Sequence, residues 1–481
     1  MGLSLATVPL YLAWLGQERY GVMLTGLSFA GYLMFSDAGL SWSSMLLIAQ
    51  ANGRGDKKGL ASIVRNSVSL ATCSIILVAV LIALALTALT VTKLPWLPYH
   101  PEAPGLLIAV GCSVASTLIL SPFYSIFNGM QEAHFLSLYQ GSGRILGTLA
   151  SLGVASSGAS LGYVFGANVA GTFVVGLIAA THCLRKYSWM FARGPFWDSQ
   201  QIKLQLRTGA KSFAMQIGSV LSGTAPVLAI SSAAGPQYVP YLTIPLTLLN
   251  LPITMLSSFN ANLQAGYGEA ISKGETKWIA DVVLRIFKQS LLLIGLLSAG
   301  FYLLAEPFIT LWTSGRLDVS EGMLGSVWAI AVSGAFLSVF RFALSGMNRH
   351  RAASQSELIC GILTVVLANL SVRYLGYQWV GLGILLSVLL TSGWILPREL
   401  SRALGNMRVL PSPLFFWRQL FVFSLSLVAG GLVMLFFSTS PVWQIIAIGP
   451  LTTLVYGVAA AKWLPEEWNR ILPLFKRYLK R

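Results

Sequence analysis

Long apolar runs separated by short polar breaks dominate this chain. Most runs reach the ~20 residues that a helix needs to cross ~30 Å of hydrocarbon. Because only helices satisfy their backbone hydrogen bonds within one crossing segment, the pattern predicts an all-α polytopic membrane protein of about 14 transmembrane helices. The predicted spans are residues 1–15, 20–48, 66–92, 105–128, 136–157, 161–182, 210–233, 239–263, 286–304, 324–346, 355–373, 379–397, 420–438 and 442–461. The first run is too short to cross, which suggests that residues precede it.

The Lys and Arg residues predict how these spans are oriented. With the N-terminus in the cytoplasm, 26 of the 32 Lys and Arg residues fall on the cytoplasmic side and only four on the opposite side. Cytoplasmic segments of membrane proteins carry such an excess of positive charge. The distribution therefore predicts a multi-pass protein with both termini in the cytoplasm.

The composition supports a membrane protein and argues against a soluble domain or a nucleic-acid-binding protein. Apolar residues make up 55% of the chain and charged residues 10%, whereas soluble domains carry about 25% charged residues. The net charge of +16 does not indicate a nucleic-acid partner, because the basic residues cluster between apolar runs instead of along one helix face. The cysteines and histidines lack zinc-ligand spacing and no nucleotide-binding loop is present, so we expect neither metal nor cofactor.

The chain repeats itself at a nearly constant offset. Gly16 and Gly235, each in a polar turn before a span, are separated along the chain by the same offset as Gly55 and Gly274. The segment FNGMQEAHF resembles LSGMNRHRA, which follows it at nearly the same offset. Each half then holds six helices, and an even number makes both halves enter the membrane in the same direction. The repeat predicts two lobes related by an axis along the membrane normal, with the substrate site between them.

This repeat divides the chain into four predicted regions. They are an N-lobe of helices 1–6 at 1–184, a cytoplasmic interfacial linker at 185–209, a C-lobe of helices 7–12 at 210–400, and helices 13 and 14 with a basic cytoplasmic tail at 401–481. The linker mixes aromatic and basic residues, which is typical of a segment at the lipid headgroup layer.

Charged residues inside spans are the strongest candidates for function, because burying a charge in lipid is costly. Asp37 lies in the second span, Arg144 in the fifth and Arg341 in the tenth. Arginine stays charged and its planar fork matches phosphate oxygens. Two arginines from opposite halves therefore predict a grip on a diphosphate. Asp37 would hold Arg144 while the site is empty, or carry a coupling proton.

Structural explanations of the same residues stay open. Asp37 and Arg144 also fit a buried ion pair that fixes helix packing, and Arg341 is close enough to the cytoplasmic end of its span to reach the surface. Polar side chains that would complete a substrate site are Tyr124, Asn128, Gln140, Gln216 and Asn262, with Asn250, Asn260 and Glu357 as further candidates. Each alone equally fits a helix–helix hydrogen bond of ~0.6 kcal/mol.

Three motifs resemble the Wzx-type polysaccharide and O-antigen flippases of the multidrug/oligosaccharidyl-lipid/polysaccharide (MOP) superfamily. Leu15–Gly21 matches the family's L-G-x-E-x-Y-G turn, and Asp37–Ser41 matches its D-x-G-[LI]-[SG] element. Phe127–Gln131 resembles an F-x-G-[LM]-Q stretch, followed by an Arg in the next helix, here Arg144.

The resemblance implies both a fold and a cargo. It implies a V-shaped, two-lobed transporter of the bacterial inner membrane that alternates access without ATP. It implies an undecaprenyl-diphosphate-linked glycan as cargo, moved from the cytoplasmic to the periplasmic leaflet for cell-surface polysaccharide synthesis. Helices 13 and 14 would lie outside the two lobes. Protons and sodium ions are both candidate coupling ions.

Other functions are weighed by the residues that they need. A cation-coupled multidrug antiporter of the same superfamily would favour acidic residues in its cavity, yet Arg144 and Arg341 outnumber Asp37, the one clear acid in the middle of a span. A membrane glycosyltransferase or polymerase needs a catalytic carboxylate or a large periplasmic loop, and the predicted outside loops are short. A non-transporting scaffold does not explain the repeat. The sequence thus favours a flippase and no enzymatic activity.

Overall fold

A computed structural model describes residues 2–92, 101–191, 194–347, 349–436 and 441–465. All regular structure in these ranges is helical, which confirms the predicted all-α class. The α-helices are α1 (Gly2–Leu33), α2 (Leu40–Gly53), α3 (Lys57–Thr92), α4 (Ala103–Gly129), α5 (Ala133–Ser156), α6 (Leu161–Lys186), α7 (Ser199–Ala233), α8 (Val239–Asn262), α9 (Gln264–Ser272), α10 (Thr276–Trp312), α11 (Glu321–Gly346), α12 (His350–Leu375), α13 (Val380–Leu390), α14 (Ser392–Ala403), α15 (Pro413–Phe436) and α16 (Pro441–Trp463).

The lengths and compositions of these helices make the protein a multi-pass membrane protein. Within the described ranges, ten helical segments are long and apolar enough to cross a membrane. They involve α3, α4, α6, α7, α8 with α9, α10, α11, α12, α13 with α14, and α15. The total of about fourteen spans stays a prediction.

The first helix combines the first predicted span with the start of the second. α1 extends from Gly2 to Leu33, but it is kinked at Gly16, where the backbone is not helical and φ is 75° and ψ is 172°. A side chain is strained at such an angle, so glycine suits this position. The bend falls between the two predicted spans, inside the LGQERYG turn.

The second predicted span is itself broken in its middle. A short 3₁₀ turn at Met34–Asp37 follows α1, and Ala38 and Gly39 then adopt φ angles of 47° and 73° before α2 begins. A Cβ atom on Gly39 would lie only 2.7 Å from the carbonyl oxygen of Gly209 on α7. The break therefore lies where two helix backbones approach closely.

The chain separates into two compact units. The first is Leu10–Pro240, and the second combines Met1–Pro9 with Tyr241–Arg481. The division falls at the start of α8, so α7 belongs to the first unit. This division lies downstream of residue 209, where the predicted linker ends. The lobe and linker limits given above stay predictions.

Small residues pack the first unit tightly. α5 and α6 meet where a Cβ atom on Gly147 would lie 2.5 Å from the Asn168 carbonyl oxygen, and one on Gly171 would lie 2.7 Å from the Gly147 Cα. Small residues at matched positions let membrane helices approach until their backbones touch.

The second unit attaches its last two helices through buried polar groups. Gln419 on α15 donates to the Leu291 carbonyl at 3.0 Å, and Tyr456 on α16 donates to the Leu292 carbonyl at 2.7 Å. The Gln419 amide also donates to the Tyr456 hydroxyl at 2.6 Å. The helix pair α15–α16 thus packs along α10.

Local backbone geometry recurs at the offset that the sequence repeat gives. Gly16 and Gly235 have φ angles of 75° and 115°, and Gly55 and Gly274 have φ angles of 69° and 75°. The offset along the chain is the same for both pairs. The turns that begin and end the second and eighth predicted spans therefore share a backbone feature that favours glycine.

Helix packing recurs in the same way. A Cβ atom on Gly129 would lie 2.5 Å from Cγ2 of Ile48, and a Cβ atom on Gly346 would lie 2.9 Å from Cβ of Tyr267. Ile48 and Tyr267 are separated by the same offset as the two pairs of turn glycines. The axis that would relate the two lobes and the V shape stay predictions.

Candidate functional site

The arginine of the tenth predicted span is held by a carboxylate on the next helix. Arg341 on α11 donates from Nε and Nη2 to the same oxygen of Glu357 on α12, at 3.1 Å and 2.6 Å. The Glu357 side chain is 3% exposed and the Arg341 side chain 26% exposed. Glu357 was only a secondary candidate from the sequence, and the structure makes it the partner of Arg341.

The acidic residue of the second predicted span lies at the helix break. Asp37 is buried, and its Oδ1 accepts a hydrogen bond from the Ser41 hydroxyl at 2.7 Å. The Ser41 backbone N–H lies 3.3 Å from both carboxylate oxygens. The carboxylate thus occupies the N-terminus of α2, where the helix dipole and the unpaired N–H groups favour negative charge.

Serines surround this carboxylate. A cavity of about 10 Å³ is lined by Asp37 and by Ser41, Ser44, Ser67, Ser121 and Ser125 from three helices, together with Leu40, Ala71 and Pro122. This is close to the smallest space that holds one water molecule. Ser67 donates to Ser44 at 2.8 Å, so part of the lining is already satisfied within the protein. The arrangement can shelter one small polar species beside Asp37.

Arg144 and Asp37 do not form the buried ion pair that the sequence left open. Arg144 is exposed on α5. None of the ion pairs found in the described ranges involves either residue, since the carboxylate of Asp37 is bound by Ser41. The structure therefore brings Arg341 together with Glu357 and leaves Asp37 and Arg144 apart.

The remaining candidates lie on several helices. Tyr124 and Asn128 on α4, Gln140 on α5 and Gln216 on α7 are all half-buried, and Tyr124 packs on the buried cluster around Phe127. The side chain of Asn262 lies outside the described part of the structure. Of the further candidates, Asn250 is exposed, whereas Asn260 is buried and donates to the Ser338 hydroxyl at 3.0 Å.

The repeat relates these candidates to one another. At the offset that relates Gly129 to Gly346, Tyr124 corresponds to Arg341. Gln140 corresponds to Glu357 at the same offset. The two halves thus carry a neutral pair and a charged pair at equivalent places on α4–α5 and α11–α12.

A second charged contact closes the turn between α4 and α5. Lys186 at the end of α6 binds Glu132 at 2.6 Å and lies 5.1 Å from the centre of the Phe135 ring. Burial alone would raise the pKa of the Glu132 carboxyl, but hydrogen bonds from Lys186 and Tyr187, together with the charges of Lys186 and His134, outweigh burial and hold that pKa below its usual range. Tyr139 and His182 share a hydrogen bond of 2.9 Å beside it. These contacts join the FNGMQEAHF segment to α6, which indicates a structural role.

No cluster of His, Cys, Asp and Glu within the described ranges has the geometry of a metal site. Cys73, Cys112, Cys183 and Cys360 are all free, two of them exposed and two buried. The candidate residues described above offer hydrogen bonding and charge. Arg341 supplies a cation inside a span, and Asp37 supplies a carboxylate at a helix break.

Comparison with known proteins identifies the fold. The chain is 24% identical over 418 residues to the Bacillus subtilis (strain 168) protein described as the uncharacterized membrane protein EpsK, covering 84% of this chain and 80% of that protein. The structure of the lipid II flippase MurJ in an inward closed conformation matches with a TM-score of 0.66 at 14% identity, over 100% of this chain and 98% of that chain. An inward-facing multidrug resistance MATE transporter of the MOP superfamily matches with a TM-score of 0.60 at 17% identity, over 84% of this chain and 95% of that chain.

The family follows from a separate match. A family model described as polysaccharide biosynthesis protein matches residues 1–263, a range that contains all three motifs quoted above. Together with the folds of the structural neighbours, which are transporters and flippases and not enzymes, this match confirms the resemblance to MOP-superfamily polysaccharide flippases. Because the match extends over more than half of the chain, the protein belongs to the polysaccharide biosynthesis protein family.

Proposed function

We propose that this protein is a secondary transporter that flips an undecaprenyl-diphosphate-linked oligosaccharide across the bacterial inner membrane. The cargo moves from the cytoplasmic to the periplasmic leaflet by alternating access and serves cell-surface polysaccharide synthesis. The family match and the MurJ-like fold support a transporter of lipid-linked material. Both termini are cytoplasmic in this proposal, as the distribution of Lys and Arg predicts.

Arg341 is the single observation that most favours an anionic head group as cargo. It is a guanidinium in an apolar helix, hydrogen-bonded to only one oxygen of Glu357 and still 26% exposed. A guanidinium keeps its proton at any relevant pH and pairs with phosphate oxygens through two parallel N–H groups. A drug cation would be repelled by the same group. Arg144 is the proposed second contact, on the first unit.

The alternative is a cation-coupled multidrug antiporter of the same superfamily. Its supporting observations are the MATE-like fold and the buried Asp37 at the helix break. Asp37 would then bind the coupling ion or the drug. Asp37 would still contribute in the flippase as a polar group of the first half.

Reconstitution tests the proposal directly. The protein is placed in liposomes with a fluorescent undecaprenyl-diphosphate-linked glycan, and an impermeant quencher reports the fraction of label in the outer leaflet. We expect the wild type to move the label faster than empty liposomes, and Arg341→Ala and Arg144→Ala to move it at least tenfold more slowly. Arg373→Ala is the matched control, because Arg373 is an exposed arginine in the last turn of α12.

Each outcome distinguishes between the functions. Flipping by the wild type together with loss in both arginine variants supports the flippase and its site. If both arginine variants flip the label as fast as the wild type, the proposed cargo stands, but Arg341 and Arg144 are not its contacts. If the wild type leaves the label in place but exports a cationic dye when a proton gradient is imposed, the antiporter replaces the flippase.

A further inference from the structure

We propose that an anionic head group binds Arg341 by displacing Glu357, and that Glu357 takes up one proton in the exchange. This inference rests on the proposed function, since it concerns how the same site binds its cargo. It assigns Glu357, which no motif of the resemblance includes, as the residue that links cargo binding to protonation.

In the structure, Glu357 already occupies one edge of the Arg341 guanidinium. Its Nε and Nη2 atoms both point to one oxygen of Glu357, at 3.1 Å and 2.6 Å. These two atoms form one of the two edges through which a guanidinium gives a phosphate parallel hydrogen bonds. A phosphate group that binds through this edge must therefore replace the carboxylate.

Burial then decides what happens to Glu357. Its side chain is 3% exposed, so an ionised carboxylate without Arg341 would stay in a low-dielectric environment with its charge uncompensated. Such a group neutralises by taking up a proton. Arg341 cannot release one, because a guanidinium does not deprotonate in proteins. The proton therefore comes from water and goes to a carboxylate oxygen of Glu357.

Charge is balanced on both sides of this exchange. Before binding, the cation of Arg341 neutralises the anion of Glu357. After binding, the cation neutralises one negative charge of the phosphate, and Glu357 is a neutral acid. Neither Arg341 nor Glu357 is left with an unpaired charge before or after the exchange, which is the condition for polar residues inside a membrane.

The helices that pack on α12 leave Arg341 as the cation in contact with Glu357. α11 contributes Arg341, α13 has no titratable residue, and α14 carries an ion pair of 2.8 Å between Arg402 and Glu399. The other titratable groups on α11, α12, α14 and the short turn before α13 are Glu321, His350, Arg351, Cys360, Arg373, Tyr374, Tyr377 and Arg398. The side chain of His350 lies outside the described part of the structure, and none of the other groups makes a hydrogen bond or ion pair with Glu357 in the described ranges. Only loss of Arg341 would therefore leave the carboxylate unpaired.

Linkage makes the proposal measurable. If cargo binding adds one proton to Glu357, then a lower pH must strengthen cargo binding by the same coupling. The affinity of the wild type should fall with rising pH, by up to tenfold per unit beyond the change caused by the cargo's own phosphates. The affinity for a cargo without negative charge should not increase as the pH falls, because such a cargo cannot displace Glu357.

Calorimetry on the purified full-length protein tests this exchange, with farnesyl diphosphate as the probe. Binding heats measured in two buffers of different ionisation enthalpy give the number of protons taken up per probe bound. We expect the wild type to take up about one proton more per probe bound than Glu357→Gln, whose affinity should change with pH only through the probe's own phosphates. Glu399→Gln is the matched control, an acid-to-amide change in the exposed ion pair of α14, and should behave as the wild type.

The outcomes separate this inference from the proposed function. Equal proton uptake by the wild type and Glu357→Gln overturns the exchange, even where both bind the probe and flip the labelled lipid. Absence of probe binding in the wild type, together with absence of lipid flipping, overturns the proposed function instead. If Glu357→Gln does not fold, proton uptake by the wild type beyond that of the probe's phosphates still decides the question, and Glu357→Asp should retain it.

Discussion

Arg341 and Tyr124 occupy equivalent positions on α11 and α4. Each lies five residues before the glycine, Gly346 or Gly129, that packs closely against another helix of its unit. One side chain is hydrogen-bonded to Glu357, whereas the other packs beside the buried aromatic residues of the first unit. The same scaffold therefore carries a charged group in one half and a neutral aromatic group in the other. A transporter with this asymmetry would hold an anionic head group mainly through the second half.

Removal of Arg341 should affect stability and transport in separable ways. Arg341→Ala leaves Glu357 buried without its cation, so we expect a loss of about 3 kcal/mol, the lower end for broken buried pairs because Arg341 is partly exposed. The double variant Arg341→Ala/Glu357→Gln should recover most of that loss, because the amide is neutral. Thermal unfolding in lipid nanodiscs measures both. Transport should stay lost in the double variant, and recovery of flipping together with stability would show that Arg341 has only a structural role.

Gly346 should tolerate a methyl group poorly. A Cβ atom there would lie 2.5 Å from the Gln264 carbonyl oxygen, and backbone atoms cannot move aside as side chains do. We expect Gly346→Ala to cost about 1–3 kcal/mol, the usual range for overpacking. Gly325→Ala on the same helix is the control, because nothing outside its own stretch of helix lies within 4 Å of its Cβ position. Melting temperatures should fall for the first variant alone, and equal values would contradict the close packing.

The sequence predicted the class of this fold because lipid imposes a simple rule. Apolar runs of sufficient length must become helices, so the membrane class, most span limits and the turn at Gly16 were all accessible. The nearly constant offset also related the segments of Gly129 and Gly346, and the structure shows a close helix contact at each of these glycines. What the sequence did not predict is the break at Met34–Asp37, because Ala38 and Gly39 stand in an apolar run without a proline.

Side-chain pairing was harder to predict than helix position. The sequence offered Arg144 as the partner of Asp37, since both lie in spans of the first half. The structure instead pairs Asp37 with Ser41, four residues away, because the helix break turns the carboxylate onto the new N-terminus of α2. Arg341 has its partner 16 residues away on the next helix. Such contacts depend on how helices rotate about their axes, which hydrophobic length does not encode.

The contact between Lys186 and Glu132 should make a small contribution to stability that depends on pH. The pKa of Glu132 is held below its usual range in the folded protein, so the contribution is present at neutral pH and is lost as the pH falls below about 4. We expect it to be no more than ~1 kcal/mol, because the Lys186 side chain is 38% exposed. Unfolding of wild type and Glu132→Gln should therefore differ at pH 7 and converge in acid. A constant difference between them down to pH 3 would contradict the assignment.

Asp37 offers the sharpest distinction between a structural and a transport role. As a cap of α2, its oxygen accepts hydrogen bonds from Ser41, and Asp37→Asn keeps an acceptor oxygen at the same place. We therefore expect Asp37→Asn to leave the melting temperature nearly unchanged, whereas Asp37→Ala should cost about 1 kcal/mol through loss of the cap. If Asp37 only caps the helix, flipping by Asp37→Asn should match that of the wild type. If flipping falls tenfold or more in Asp37→Asn while stability is kept, the negative charge itself takes part in transport, and the serine-lined cavity beside it becomes the place to look for the coupling ion.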